Sequence, residues 1–214
     1  MEAGGRVRRR RAASRGGETR DVAAAILDAA ERVLAERTLA ELTVADVLDA
    51  AGVSRGSFYF YFESKEAVVA ALLERIVEEI HAASLPWLER GDTPPERALR
   101  DAITGSLALW RRHAPVLRST VEAWQAVPEI RDLWGQVLHR FTTAAAAQIE
   151  KDRAAGVATP GPPPKALAGA LVAMNERCFY FALVGTEAAS DEQLVETLTW
   201  VWLRSVYGGR ASGG

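Results

Sequence analysis

Residues 43–65, TVADVLDAAGVSRGSFYFYFESK, bring together side chains that suit contact with DNA. Arginine binds guanine edges and phosphates, and serine and tyrosine hydroxyls bind either bases or phosphates. A glycine such as Gly56 lets one backbone approach another closely. Lys65 and Thr43 each stand at the start of a predicted helix, where backbone amides favour a phosphate. The candidate DNA-binding residues in this stretch are Thr43, Ser54, Arg55, Gly56, Ser57, Tyr59 and Lys65.

Two short predicted helices position these side chains. Residues 43–46 (TVAD) have the spacing of a capping box, Gly52 supplies a turn, and Ser54 caps the next helix. The run 58–62 (FYFYF) has strand-like composition, but helix starts flank it and no partner strand is visible, so a helix is predicted. The two helices pack through Val44, Val47, Val53 and Phe58, which leaves Arg55, Ser57 and Tyr59 facing outward. This pattern predicts a helix-turn-helix, whose second helix enters the major groove.

The rest of the chain has helical periodicity, so the predicted fold is all-α with about nine helices. Ser64 caps a long fourth helix, and Pro86 together with residues 91–95 is expected to break it. The other predicted helices cover residues 20–36, 96–113, 114–126, 129–155, 165–185 and 191–207. We predict a disordered basic arm over 1–19, a helix-turn-helix domain over 20–66, and a helical effector-binding and dimerisation domain over 67–214.

The first twenty residues are strongly basic. They contain seven arginines against two acidic residues, although the formal net charge of the whole chain is −2. A basic tail on an acidic body is typical of an arm that contacts phosphate, and Arg8 and Arg10 are candidates for that contact. A disordered tail that only aids solubility is the alternative.

Other features narrow the class of protein. The single cysteine excludes a disulfide within the chain and fits a reducing compartment. No apolar run has the length of a signal peptide or a membrane span, so a cytoplasmic protein without membrane contact is expected. His81, His113 and His139 lack metal-ligand spacing, so no metal or cofactor is expected, and these histidines should lie at the surface or at a pocket edge. Residues 150–153 (EKDR) are typical of a solvated helix end.

The larger predicted domain carries big aromatic side chains on several helices. Core packing explains any one of them, but tryptophan is rarely buried completely, so a cluster from several helices favours a cavity. Asn175 lies in an apolar run, where its amide either bonds across helices or orients a ligand. The candidate ligand-binding residues are Trp110, Phe141, Met174, Asn175 and Trp202.

The last two predicted helices are apolar around much of their circumference, more than one core-facing side requires. Their apolar residues cannot all point inward, so part of this surface is expected to pack against a second subunit. The residues concerned are Leu167, Leu171, Leu194, Leu198, Val201 and Val206.

Residues 51–76, AGVSRGSFYFYFESKEAVVAALLERI, resemble the DNA-binding signature of the TetR family of transcriptional repressors. The pairs and runs at 133–134 (LW), 174–177 (MNER) and 202–208 (WLRSVYG) are similar to the subgroup that contains the mycobacterial repressor of ethionamide activation. One position departs from the family pattern. Four residues before Gly52 the family usually has alanine, because the two helices cross closely there, whereas this chain has Leu48. A slightly altered angle of the recognition helix is therefore expected.

The resemblance implies a homodimer, formed mostly by the last two helices, that reads a palindromic operator in double-stranded DNA. It also implies a small apolar effector that contacts Asn175 and releases the DNA. Because the candidate cavity residues carry almost no charge, an uncharged effector is expected. Two other functions stay open. One is an enzyme acting on an apolar small molecule, for which no catalytic motif is visible, and the other is a constitutive DNA-binding protein without an effector.

Overall fold

The computed structural model describes residues 18–124, 127–185 and 189–208, and these ranges contain nine α-helices and no strand. The helices are α1 (Glu18–Leu34), α2 (Val44–Ala51), α3 (Arg55–Tyr61), α4 (Lys65–Leu88), α5 (Pro95–Arg112), α6 (Ala114–Ala123), α7 (Pro128–Ala154), α8 (Pro164–Val184) and α9 (Asp191–Tyr207). The predicted all-α fold is confirmed, and most of the aromatic run 58–62 is helical. The predicted arm, with Arg8 and Arg10, lies outside the described residues.

Polar caps begin the helices of the predicted helix-turn-helix. The Thr43 hydroxyl accepts a hydrogen bond from the Asp46 amide, and the Asp46 carboxylate accepts one from the Thr43 amide, so α2 starts with a complete capping box. Ser54 and Ser64 accept the equivalent bonds at the starts of α3 and α4. Gly52 ends α2 at a φ of 65°, a left-handed conformation that favours glycine. Local signals therefore determine this part of the fold.

The predicted break at Pro86 is wrong, because α4 continues through this residue to Leu88. Proline removes one backbone donor and clashes with the preceding turn, which usually ends or kinks a helix. Pro86 is exposed and lies in the last turn, so little helix follows it. The extra turn carries Trp87 and Leu88 into the interior of the larger domain.

One hydrophobic core runs through the described residues. Helices α1 to α3, which we call the head, pack around the fully buried Ile26, Val47 and Phe58. Helices α4 to α9 form the body, in which α4 packs along α5, α7 along α8, and α5 along α9. Helix α6 contacts α1 as well as α7 and α8, so it connects the head with the body.

Helix α8 is long and apolar enough to cross a membrane, by length and composition, and it is the only such helix among the described residues. It packs in the body against α5, α6, α7 and α9, and core helices of globular proteins pass the same test. Much of its remaining surface is left uncovered by the chain itself.

Candidate functional site

The outward side of α3 carries several of the predicted DNA-binding residues. Ser54 accepts a hydrogen bond from the Ser57 amide at 3.1 Å, and the two hydroxyl oxygens lie 3.0 Å apart. Arg55 is exposed, and its guanidinium carbon lies 6.0 Å from the ring centroid of Tyr59, which is also exposed. Phe60 beside them is 63% exposed. This side of α3 thus presents a cation, a pair of hydroxyls and two aromatic rings.

Gly56 leaves open space on the same side of α3. A Cβ placed there would meet only the Ser54 Oγ, at 3.8 Å, which is an ordinary contact. Gly56 is the second residue of α3, and replacing a glycine by alanine at a position with compatible backbone angles stabilises a protein by about 0.4–1 kcal/mol. Packing within the chain does not require this glycine, which fits the close backbone approach that the sequence predicts for it.

Thr43 and Lys65 have partners within the chain. The Thr43 hydroxyl donates to the Asp46 carboxylate, and this hydrogen bond is the main reason why the pKa of Asp46 is lowered. The Lys65 ammonium donates to the Leu42 carbonyl at 2.7 Å and ties the start of α4 to the loop before α2. Lys65 therefore helps to hold the head in place, a role that its sequence position does not indicate.

Two further contacts hold α2 in place. The carbonyl of Leu48 accepts hydrogen bonds from the Gly52 and Val53 amides, and its side chain is half-buried against the core. Arg32 of α1 donates to the Ala50 carbonyl at 2.8 Å, near the C-terminal end of α2, where a cation is favoured. No sequence motif marks Arg32, because its partner is a backbone group.

A cavity of about 110 Å³ lies in the body between α4, α5, α7, α8 and α9. Helix α8 lines it with Val172, Asn175, Glu176 and Phe179, a spacing of three and four residues that places one helix face toward it. Helices α4, α5 and α7 contribute faces of the same kind. The walls are strongly aromatic, as the ring centroids of Trp110 and Trp134 are 6.0 Å apart and those of Trp110 and Phe179 are 5.7 Å apart.

Four of the five predicted ligand-binding residues line this cavity, namely Trp110, Phe141, Asn175 and Trp202. Met174 does not line it and packs half-buried elsewhere against the core. The reason is its position on α8, one residue away from the face that carries Val172 and Asn175. Because α8 is apolar on most sides, the sequence alone does not show which face points inward.

The indole Nε1 of Trp202 donates a hydrogen bond to the Asn175 Oδ1 at 3.0 Å. Of the two roles that the sequence allows for the Asn175 amide, the hydrogen bond between helices is therefore present. Among the described residues the amide nitrogen of Asn175 donates no hydrogen bond, so it can still donate to a ligand.

Glu176 is a charged residue in the cavity wall that the sequence analysis did not single out. Its side chain is 9% exposed, and its nearest cationic atom is the Arg177 Nε at 3.7 Å. Burial raises the pKa of Glu176, an effect that Arg177 and the Trp134 indole oppose only in part. The expectation of a wall with almost no charge thus misses one carboxyl group, because the sequence does not show which face of α8 points inward.

Asp152 is buried, so the prediction of a solvated helix end at 150–153 is wrong for this residue. Its carboxylate accepts hydrogen bonds from Arg90 at 2.8 Å and from the Tyr207 hydroxyl at 2.6 Å. Tyr207 in turn accepts from the Trp87 indole at 2.9 Å, and the Trp87 and Trp202 rings are 5.1 Å apart. Burial raises the pKa of Asp152, but the hydrogen bonds lower it by more, so the net shift is downward. This network joins α4, α7 and α9 behind the cavity.

His113 is also buried, whereas a position at the surface or a pocket edge was expected. Its Nδ1 contacts the Glu31 carboxylate of α1, and its Nε2 lies 3.3 Å from the Glu79 Oε2 of α4. Arg75 of α4 donates to Glu31 at 3.1 Å and to Asp28 at 2.7 Å. The head is therefore held to the body through Glu31. As expected, His139 is exposed, and His81 lies beside the cavity-lining Phe141.

The expectation for the outward side of α8 and α9 is wrong in part. Leu171, Leu194, Leu198 and Val206 are buried within the chain, and Leu167 and Val201 are half-buried. Trp200 is instead 58% exposed on α9, one residue away from the buried face of that helix. The apolar surface that α9 leaves exposed therefore includes Trp200.

A helix-turn-helix head joined to a helical body with an apolar cavity defines a DNA-binding regulator with a place for a small molecule. Residues 26–72 match the family described as bacterial regulatory proteins, tetR family. Residues 99–208 match the family described as transcriptional regulator EthR, C-terminal domain. These two matches cover the helix-turn-helix and most of the body.

The chain is similar to HTH-type transcriptional regulators named EthR. The protein of Mycolicibacterium smegmatis is 36% identical over 202 residues, which cover 94% of this chain and 92% of the relative. That of Mycobacterium tuberculosis (strain ATCC 25618 / H37Rv) is 36% identical over 203 residues, with coverages of 94% and 93%. The chain therefore belongs to the TetR family and has a C-terminal domain of the EthR type. Regulators of this type are ligand-responsive repressors, and they are typically dimers.

Solved structures share the fold. A TetR-family regulator from Syntrophomonas wolfei has a TM-score of 0.77 at 16% identity, with 91% of this chain and 99% of that chain covered. One from Rhodococcus sp. has a TM-score of 0.70 at 22% identity, with coverages of 86% and 97%. The predicted family and its fold are thus confirmed.

Proposed function

We propose that the chain is a dimeric repressor that binds a palindromic operator through residues 20–66. Residues 67–214 then bind a small, largely apolar effector that releases the DNA. One observation carries this proposal. Helices α4 and α5 line the cavity, and the same two helices lead to the side-chain contacts that hold α1. Since the operator of a bacterial regulator lies in the cytoplasm, we also propose a cytoplasmic location for the chain.

The outward side of α3 supports operator binding. Arg55 can reach guanine edges or phosphates, and the Ser57 hydroxyl and Tyr59 can bind either. Thr43 and Ser54 are already engaged as helix caps, so their contribution to DNA binding is mainly the correct placement of α2 and α3. The arginines of the arm, including Arg8 and Arg10, neutralise phosphates without reading sequence.

The connection between cavity and head supports release by an effector. Trp110 lines the cavity on α5, and His113 follows it by three residues at the junction with α6. His113 contacts Glu31 of α1, and so does Arg75 of α4. An effector that moves α4 or α5 therefore acts on the orientation of α1 and, in a dimer, on the distance between the two recognition helices. Only one such distance fits successive major grooves.

The experiment begins with an operator selected from a random duplex pool. Wild-type protein should bind it far more tightly than scrambled DNA of the same length, measured by fluorescence anisotropy. Arg55→Ala should weaken operator binding by about 1–3 kcal/mol, because a groove contact is lost. Arg118→Ala, which removes an exposed arginine of α6, is the matched control and should leave binding unchanged. Equal affinity of the wild-type protein for operator and scrambled DNA would refute the proposed function as a regulator.

A constitutive DNA-binding protein differs from this proposal in one measurable way. Compounds that raise the melting temperature of the wild-type protein should then leave its operator affinity unchanged at saturation. The proposed repressor should instead lose affinity, typically by about 5- to 150-fold, since coupling free energies between sites are of that size.

A further inference from the structure

The buried carboxyl group of Glu176 is the most unusual feature of the cavity. It lies on the cavity-facing side of α8, and no lysine, arginine or histidine is present among the described residues that line the cavity. The remaining lining is mostly apolar and aromatic. An ionised carboxylate in such surroundings is costly unless a cation or several hydrogen bonds compensate it.

Arg177 does not provide that compensation in full. Its Nε lies 3.7 Å from the Glu176 carboxylate, beyond a normal hydrogen bond, and its side chain is 43% exposed. The guanidinium carbon lies 5.2 Å from the ring centroid of Tyr180 and 5.8 Å from that of Phe181, and Arg177 does not line the cavity. The pKa of Glu176 is raised accordingly, chiefly by burial. The carboxyl group therefore has capacity for a further partner.

The aromatic rings near Glu176 favour the same kind of partner. Trp134 lies beside the carboxyl group, and Trp110 and Phe179 form one cluster with it. The faces of such rings attract a cation within about 6 Å, by about 2 kcal/mol or more when the cation is desolvated. A carboxylate that accepts a hydrogen bond from the Trp134 indole and lies in an aromatic-walled cavity is thus a site for a positively charged group on an apolar molecule.

We infer that the effector is a compact organic amine, whose ammonium group binds Glu176 while its apolar part packs against the tryptophan rings. This inference rests on the proposed ligand-responsive function and names the class of ligand. The Asn175 amide nitrogen offers one further hydrogen bond, to an acceptor on the same molecule. The cavity of about 110 Å³ is smaller than the roughly 150 Å³ that holds benzene in a protein core, so even a single-ring amine must displace the surrounding helices slightly, and single-ring amines are the smallest aromatic probes.

The test compares benzylamine with benzyl alcohol, which has nearly the same shape but no charge. Binding is followed by tryptophan fluorescence and calorimetry, and operator affinity by anisotropy with each compound present. Wild-type protein should bind benzylamine at least tenfold more tightly than benzyl alcohol. Glu176→Gln keeps the shape of the side chain and should abolish this difference, whereas Glu150→Gln, on the exposed side of α7, should retain it.

Acidification provides a second measurement on the unchanged protein. As the pH falls through the pKa of Glu176, the carboxylate gains a proton, so the affinity for benzylamine should fall while that for benzyl alcohol stays constant. Equal affinities in the wild type, a preference that survives in Glu176→Gln, or binding of neither compound would overturn the amine assignment. If benzyl alcohol releases the operator and benzylamine does not, the ligand class is wrong but the proposed function stands. If benzylamine binds through Glu176 without changing operator affinity, the site stands and the proposed switch fails.

Discussion

Replacing Ala145 with tryptophan tests whether the cavity controls the head. Ala145 is buried on α7 and lines the cavity, so the new indole points into it. Residual cavity volume costs about 24 cal/mol per Å³, so filling 110 Å³ can gain at most about 2.6 kcal/mol. An indole is larger than benzene, which already needs about 150 Å³, so the surrounding helices must also move. Overpacking of this kind costs about 1–3 kcal/mol, and the free energy of unfolding should therefore change little.

The displacement should imitate a bound effector. If α5 or α4 moves as it would with a ligand, operator affinity should fall by about 5- to 150-fold, the usual size of coupling between sites. Anisotropy of labelled operator measures this fall, sedimentation checks that the dimer persists, and calorimetry should show that cavity ligands no longer bind. The matched control is Ala147→Trp, two residues further along α7, where the side chain is exposed.

Two results would refute this reasoning. In the first, Ala145→Trp blocks ligand binding but keeps full operator affinity, so that the cavity is not coupled to the head. In the second, Ala147→Trp weakens operator binding as much as Ala145→Trp, so that the effect comes from bulk on α7 and not from the cavity.

Three further predictions concern the DNA side, the buried network and the dimer. Gly56→Ala should raise the free energy of unfolding by about 0.4–1 kcal/mol, as measured in urea, yet weaken operator binding; unchanged affinity would argue against close DNA approach. Asp152→Asn leaves Arg90 buried without its charge partner and should cost about 3–5 kcal/mol. In the wild type the pKa of Asp152 is lowered on folding, so its contribution is complete above the pKa of the unfolded chain and is lost as the pH falls through the folded value. A melting temperature that stays the same in Asp152→Asn, or that does not fall on acidification, would contradict this. Trp200→Glu should give a folded monomer with little operator affinity in sedimentation and anisotropy, whereas Leu198→Asp should unfold the chain; a dimer that survives Trp200→Glu would exclude this face.

Local signals made the head predictable. Each of these signals depends on a few neighbouring residues only. They are the capping box at Thr43, the caps at Ser54 and Ser64, and the left-handed Gly52. The cavity was partly predictable for a related reason, since Trp134 and Phe141 stand seven residues apart on the inner side of α7 and Trp110 marks that of α5. On α8 the same approach fails, because the helix carries apolar side chains on most of its faces. A difference of one position separates Met174, which does not line the cavity, from Asn175, which does.

The burial of Asp152 and His113 was not predictable, because their partners are distant in sequence. Asp152 binds Arg90, 62 residues away, and His113 contacts Glu31, 82 residues away. In the sequence each of these residues stands among polar neighbours and is indistinguishable from a solvated one. Their burial depends on how the helices cross, which the local pattern does not encode.

These buried pairs bear on how a small cavity can control the head. Trp110 and His113 are separated by three residues, about 4.5 Å along α5, so a movement at the cavity wall reaches the charge cluster directly. The buried His113 ring tolerates little separation from the Glu31 carboxylate, because it then loses its hydrogen-bond partner without gaining water. Helix α1 must therefore follow α5 and α4, or Glu31 must give up one of its two partners, His113 and Arg75. Either response gives two discrete arrangements of the head, which is the property that a repressor needs in order to release its operator when a ligand binds.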